Sequence, residues 1–180
     1  YTFSPTVLTR KQKQINSLNN TALSARKGNN IMRIDAFPQA GQWYKGNTHA
    51  HTSVSDGKFA PEKLIGEYKK AGYSFLAITD HEIYSDYTQY DTDSFIMMPG
   101  VEIMLWQGDR NNAFTTHLVG LGIPGKNKFV HGQKLEYINT TPTQELIDFL
   151  HENGNYVILA HPYWSGTRLE HFNEYSQGID

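Results

Sequence analysis

His49-Ala50-His51-Thr52, Asp56, Thr79-Asp80-His81, Glu102, His117 and Ala160-His161-Pro162 are the residues of this chain whose types and order could do chemistry. Imidazole nitrogens and carboxylate oxygens are ligands for divalent cations. Set one after another at the ends of apolar runs, they offer what a hydrolytic site with several metals needs. His49 and His51 stand two apart. In an extended strand such residues point to the same face, so both imidazoles can reach one ion. The loop Thr52-Ser53-Val54-Ser55-Asp56-Gly57 then brings a carboxylate back toward the pair.

Each residue also has a plainer explanation. A lone His-x-His pair is a weak signal. Asp80 suits a helix N-cap, with His81 facing solvent and Glu82 a first-turn acid favoured by the helix dipole. His117 shares a face with Thr115 and Val119 on a period of two, and it reads equally as a hydrogen-bonded core histidine. His161 closes another apolar run and reads the same way. Glu102 resists such an account, because glutamate among apolar neighbours is almost never buried unless paired. Its two oxygens could bridge two cations, which an imidazole cannot do. The plain explanations strain when applied to all these positions together, since all would need partners in one small interior. His131, His151 and His171 fall outside the set and read as structural or surface residues.

The elements that must position these groups follow from the pattern. Trp43–Thr48 reads as a short strand leading into His49. Pro61–Ala71 reads as a helix, with Leu64, Ile65, Tyr68 and Ala71 on one face and Gly72 as its stop. Tyr73–Thr79 is a buried strand by its continuous apolar run. Phe95–Met98 and Ala113–Leu121 are further strands. Thr141–Asn153 carries helix signals, with Thr141 and Gln144 as a capping box, Pro142 at the first helical position and Gly154 after the end. Asn155–Ala160 is a strand running into His161. Residues 165–175 read as helical through Leu169, Phe172 and Tyr175. Strands alternating with helices predict an α/β architecture built on parallel pairs. In such folds function gathers at the carboxyl ends of strands, where His49, His81, Glu102 and His161 fall.

Composition narrows the classes. With 180 residues, 38% hydrophobic and 13% aromatic, the chain is globular and long enough for a sizeable core. Its net charge of −2 lowers the expectation of a protein that coats nucleic acid by bulk charge. The absence of cysteine excludes disulfides, thiolate zinc sites and cysteine nucleophiles. No apolar stretch approaches the roughly 20 residues needed to span a bilayer. Residues 1–42 differ from the rest: Arg10, Lys11, Lys13, Arg26, Lys27 and Arg33 face a single acid, Asp35. They read as a solvated arm or linker, or as a basic anchor toward a membrane surface or an upstream domain. The start at Tyr1 rather than Met leads to the expectation of a segment upstream, and with the arm it leans toward an extracytoplasmic or membrane-tethered parent.

As an ordered set, His49-Ala50-His51-Thr52, Ser55-Asp56-Gly57, Thr79-Asp80-His81, Pro99-Gly100-Val101-Glu102-Ile103, His117 and Ala160-His161-Pro162 resemble the motifs of the PHP (polymerase and histidinol phosphatase) superfamily. The resemblance runs from Trp43 to Asp180. The lead-in Trp43-Tyr44-Lys45-Gly46-Asn47 is similar to the carbaryl-hydrolase-like branch and its phosphoesterase relatives. The resemblance implies a distorted β/α barrel, with a PHP-type metal-binding domain over 43–180 and two or three divalent ions, Zn, Mn or Fe. It puts His49, His51 and Glu102 on a first ion, Glu102 with His117 and His161 on a second, and Asp56 with His81 on a third. A late Asp-x-His motif belongs to the same pattern. None follows His161, so the barrel is expected to be incomplete at its C-terminus.

The implied activity is phosphoester hydrolysis, of a small molecule or an oligonucleotide. Two neighbouring cations lower the pKa of a shared water enough to give hydroxide at neutral pH, and the metals offset charge that develops on phosphorus-bound oxygens. Arg168 and Tyr163 lie near His161 in sequence and are candidates to assist the leaving oxygen, or else a surface arginine and a core-edge tyrosine. Carbamate or ester hydrolysis at the same residues stays open, as does a non-catalytic, metal-stabilised module supporting a partner domain. An oligonucleotide groove could draw on Lys45, Lys58, Trp106, Arg110 and Trp164, or these could be scattered surface and core residues.

Overall fold

The structure is a computed structural model that describes residues 40–107, 114–138, 141–168, 170–171 and 177–180. Nearly all of the arm expected over 1–42 therefore lies outside the described residues, as do Leu169, Phe172 and Tyr175 of the helix expected over 165–175. All the elements belong to the compact unit Tyr44–Asp180.

The unit is mixed α/β. In chain order it contains β1 (Gly46–Asn47), α1 (Pro61–Lys70), β2 (Phe75–Ala77), a 3-10 turn (Thr88–Tyr90), β3 (Ile96–Met98), β4 (Gly100–Gln107), β5 (Phe114–Gly122), α2 (Thr143–Glu152) and β6 (Asn155–Leu159). The strands form two three-stranded sheets, β1-β2-β3 and β4-β5-β6. Among the described residues they do not close into a barrel. No described helix is long and apolar enough to cross a membrane.

The first sheet is parallel, as the alternation of strands and helices predicts. Its strands are joined by α1 and by the long loop 78–95. Pro61 opens α1, Ile65 is its buried residue, and Gly72 takes a left-handed φ of 74° that ends it. Ile65 packs with Leu76, Ile78, Tyr87, Phe95 and Met97 into one core.

The second sheet is antiparallel throughout, against the expectation of parallel pairs. Only six residues separate β4 from β5, too few for the dozen or more that a parallel crossover requires. Its register pairs Glu102 with Val119, Met104 with His117, and Val119 with Ile158. Facing residues of an antiparallel pair lie on the same side, so the sheet has two distinct faces. Val101, Ile103, Leu105, Leu118 and Val157 pack on one face against Leu146, Ile147 and Leu150 of α2. Glu102, His117, Val119 and Ile158 occupy the other. There Val119 and Ile158 meet Ala77 of β2 and Met98 of β3, which ties the two sheets together.

The capping box expected at Thr141 and Gln144 is not made. Pro142 occupies the N-cap itself, with an extended ψ of 137° and no side-chain cap, and the helix begins at Thr143. Gln144 instead donates to Asp148 (2.8 Å) and to the Gln177 carbonyl (3.0 Å).

Leu150 is fully buried and rests over Gly120, where a Cβ would come within 2.9 Å of its methyl. Leu150→Ala leaves a cavity between α2 and the second sheet, and should lower unfolding free energy by about 2–5 kcal/mol in a denaturant titration. The metal content should stay unchanged, because the lost contacts lie on the face away from Glu102. A loss under about 1 kcal/mol would contradict this packing.

Candidate metal centre

Glu102 is the third residue of β4 and is fully buried. Its carboxylate is met by five imidazoles from four parts of the chain. At Oε1 stand His117 Nδ1 (2.7 Å), His161 Nε2 (3.1 Å) and His49 Nε2 (3.5 Å). At Oε2 stand His51 Nε2 (2.9 Å) and His81 Nδ1 (3.3 Å). Asp56 lies beyond them, with Oδ1 3.1 Å from His51 Nδ1 and Oδ2 3.6 Å from His81 Nε2. The structure therefore brings His49, His51, Asp56, His81, Glu102, His117 and His161 into one cluster. Of the sequence candidates, Arg168 is exposed and pairs with Glu170 (3.7 Å).

Local structure explains each placement. His49 and His51 follow β1 and reach the two oxygens of one carboxylate. Turn 52–57 is closed by Gly57 N–H to the Thr52 carbonyl (2.8 Å) and brings Asp56 round. Gly57 is needed there because a Cβ would collide with the backbone of His51. His81 follows β2 and forms an isolated parallel bridge with Glu102. His117 enters from β5 on the Glu102 side of the sheet. His161 follows β6 with a φ of 28°, a left-handed conformation uncommon outside glycine. Glu102 thus sits within a strand, not at a strand end, while His49, His81 and His161 follow strand ends as expected.

No helix begins after Asp80. Glu82 turns the chain with a left-handed φ of 63°, and Ile83 then bridges Lys134 and Ser85 bridges Gly100. The Asp80 carboxyl, fully buried, accepts bonds from Thr52 N–H (2.7 Å), Thr52 Oγ1–H (2.7 Å) and Ser55 Oγ–H (2.8 Å). It anchors the loop that carries His51 and Asp56. That contact spans 28 residues, which no local pattern reveals. Four hydroxyls were likewise not anticipated. Thr79 Oγ1 lies 2.7 Å from His49 Nδ1, Ser55 Oγ 3.3 Å from His51 Nδ1, Thr115 Oγ1 3.2 Å from His117 Nε2 and Ser165 Oγ 3.2 Å from His161 Nδ1. The only sequence sign of them is a serine or threonine near each histidine in the chain or on the neighbouring strand.

The three histidines left out of the set stand elsewhere. His131 Nδ1 accepts from Asp86 N–H (3.1 Å). His151 lies 2.8 Å from the Gly178 carbonyl. His171 stacks on Phe114 with ring centroids 3.9 Å apart.

Cations fit this donor set. Ligands about 2.1 Å from a tetrahedral ion lie ~3.4 Å from one another; His81 (3.3 Å) and His49 (3.5 Å) stand at that spacing from Glu102, and His161, His51 and His117 stand closer, at 3.1, 2.9 and 2.7 Å. The hydrogen bonding points the same way. The Thr79 hydroxyl donates to the Ala50 carbonyl (3.5 Å), so it accepts from His49 Nδ1–H. His49 Nε2 is then bare and faces a carboxylate oxygen, an arrangement of lone pairs that a cation relieves. Glu102 Oε2 and His81 Nδ1 are both buried and lack hydrogen-bond geometry to any partner. Among the described residues, two triads have ligand atoms within 4.8 Å of one another: His49, Glu102, His161 and His51, His81, Glu102. His49 and His51 thus fall into different triads, each sharing Glu102. His117 engages Glu102 and Thr115 outside both.

Electrostatics keep two of the donors, Glu102 and His49, in binding form. Burial pushes the Glu102 carboxyl up, but the hydrogen bond from His117, the close approach of His51 and the neighbouring imidazoles outweigh it and hold it well below the usual range. Burial lowers the His49 imidazole to about 4, against the pull of Glu102. His51 is shifted the other way: burial lowers it, yet Glu102 and Asp56 together raise it.

These shifts predict the pH response of the metal-free protein. Between pH 6.5 and 4 the unfolded chain protonates His49 while the folded chain does not, so stability falls as pH drops through that window. His49 contributes on the order of 3 kcal/mol of this loss. The Glu102 contribution is present above the ordinary carboxylate range and disappears on further acidification. His51 acts in the opposite sense, stabilising below 6.5 and fading as pH rises through its raised value. Thermal melts in chelator should show Tm falling from pH 6.5 to 4, and His49→Gln should flatten that slope. An equal slope in the variant would contradict the assignment.

No family model matches the chain, and no curated protein matches it. Among solved structures, a protein from Bifidobacterium adolescentis described as a metal-dependent phosphoesterase aligns with 75% of this chain at 18% identity and a TM-score of 0.35. The chain spans about half of that protein, 48% of its length.

Proposed function

We propose that this chain is a metal-dependent hydrolase of the PHP type that cleaves phosphoesters, and that its two sheets belong to a distorted β/α barrel. The observation that carries the proposal is the gathering of five imidazoles on one buried, ionised carboxylate. A purely structural role for Glu102 would need one or two hydrogen bonds, not five nitrogen neighbours.

His49, Glu102 and His161 would hold one divalent cation, and His51, His81 and Glu102 another, with Asp56 and His117 beside them. Such cations supply an activated water at neutral pH and neutralise charge on the phosphoryl oxygens. The remaining work falls to the chain. Glu102 stays ionised and fixes the distance between the triads. Thr79 selects the tautomer of His49 that keeps Nε2 bare, as partners of metal-bound histidines do. Asp80 holds the loop of His51 and Asp56 in place. The substrate would be a small-molecule or oligonucleotide phosphoester.

Protein purified without chelator should carry at least one equivalent of Mn, Zn or Fe by elemental analysis. It should hydrolyse phosphomonoesters or phosphodiesters, and chelation or His51→Ala should abolish turnover. Turnover of aryl carboxylic esters without inhibition by free phosphate would favour carbamate or ester hydrolysis instead. A stable fold without metal, with activity untouched by His49→Ala and His51→Ala, would defeat the proposal.

A further inference from the structure

We propose that Trp164, with Tyr163 beside it, is the specificity-determining platform of this site and receives a planar aromatic group carried on the substrate's ester oxygen. The inference rests on the hydrolase reading above and names the substrate class that reading leaves open.

Trp164 touches the centre directly. Its ring centroid lies 5.4 Å from that of His161 and 5.9 Å from that of His117, with ring planes at 84° and 79°. Yet Trp164 is 77% exposed and Tyr163 is 98% exposed. The unit buries Tyr84, Tyr87, Phe95 and Phe129 and leaves Tyr44, Trp106 and Tyr156 partly in water, but among the described residues Tyr163 and Trp164 are its two most exposed large hydrophobic side chains. Two large aromatic residues in water beside a polar cluster forgo the stabilisation that burial gives.

The exposure comes from a turn that is held in place. Ser165 is buried. Its N–H donates to the His161 carbonyl (3.2 Å), and its own carbonyl accepts from Thr115 N–H (3.0 Å). Thr167 N–H closes the turn on the Pro162 carbonyl (2.9 Å). The left-handed φ of His161 starts the turn, a conformation that persists only where the surroundings dictate it. With Ser165 fixed inward, residues 163 and 164 project outward next to His161. Of the five imidazoles at Glu102, His161 is also the most open to solvent, its side chain 33% exposed against 4% for His117. The platform therefore borders the open side of the cluster.

A phosphoryl group at the cluster would place its ester substituent at this border. A flat aromatic ring can stack on an indole there, whereas a short polyol cannot. Either an aryl group or a nucleobase presents such a ring, and stacking does not distinguish between them.

Two measurements test this on the protein as purified. In Trp43→Phe/Trp106→Phe protein, where Trp164 is the sole tryptophan, phenylphosphonate should quench fluorescence saturably and methylphosphonate should not. In the otherwise native chain, Trp164→Ala should raise KM for phenyl phosphate and for adenosine 5′-monophosphate about 5- to 150-fold, the range that ring stacking spans. Glycerol 1-phosphate should show no comparable rise, metal content should not change, and Trp164→Phe should restore most of the loss. A larger effect on one aromatic ester than on the other tells aryl from nucleoside. Equal quenching by both phosphonates, no quenching by either, or an equal loss on aromatic and aliphatic esters would overturn the platform. If no phosphoester is turned over, the hydrolase reading fails, while the phosphonate titration still decides the role of Trp164.

Discussion

Glu102→Gln should strip the chain of metal and lower phosphoester turnover by about 10³-fold or more, the scale of several kcal/mol of lost charge stabilisation. The substitution is nearly isosteric, so packing around β4 changes little. What changes is chemistry. The carboxylate offers two anionic oxygens, one to each triad. The amide offers one neutral oxygen and an NH₂ that points hydrogens at imidazoles. Both triads lose their shared ligand at once, whereas His49→Ala or His51→Ala removes one donor from one triad. The metal-loaded protein should also lose the stabilisation that bound cation supplies, about 4 kcal/mol where free metal is 1,000 times its Kd. His131→Ala is the matching control, since His131 accepts from Asp86 N–H and belongs to neither triad, and it should keep its metal. Retention of stoichiometric metal by Glu102→Gln would show that the cluster is held together by other means.

Asp80→Ala should be the most destabilising single change near the site, by about 3–5 kcal/mol. Three short bonds converge on this buried carboxyl, two from Thr52 and one from Ser55. Thr52 is itself fully buried, so removing its acceptor strands an N–H away from water. The loop would then release His51 and Asp56 together, and metal affinity should fall about 10- to 100-fold, as for other residues that orient metal ligands. Asp80→Asn keeps one acceptor and the side-chain volume and should lie between wild type and alanine in both measurements. Denaturant titration with parallel metal titration checks the order. A loss under about 1 kcal/mol in Asp80→Ala would mean that the loop stands without its anchor.

The contrast between Glu102 and Asp80 shows what the sequence made legible. Glu102 stood out because a carboxylate between Val101 and Ile103 on a β-prone run has few outlets other than a paired or ligand role. His49 and His51 stood out because period two is a local rule. His81 and His161 could be placed because each follows an apolar run that had to be a strand. Asp80 invited the wrong local rule: an aspartate after a strand suits a helix N-cap, yet its partners lie in the loop after β1. The capping box at Thr141 failed for a related reason. Pro142 fits an N-cap as well as a first helical position, and the backbone settled on the former. The antiparallel second sheet was hidden because apolar periodicity reports that a strand is buried, not which neighbour it pairs with or in which direction. Hydroxyls such as Thr79 and Ser165 carry no periodic signal at all, although they decide which imidazole nitrogen faces Glu102.

The central claim is that Glu102 and its imidazoles form a cation site. Diffraction from crystals grown with Mn²⁺, recorded at an energy where manganese scatters anomalously, tests it most directly. Strong anomalous peaks should lie about 2.1 Å from Glu102 oxygens, with His49 and His161 completing one site and His51 and His81 the other. A map without anomalous density at Glu102, with the five imidazoles hydrogen-bonded to its carboxylate alone, would contradict the account.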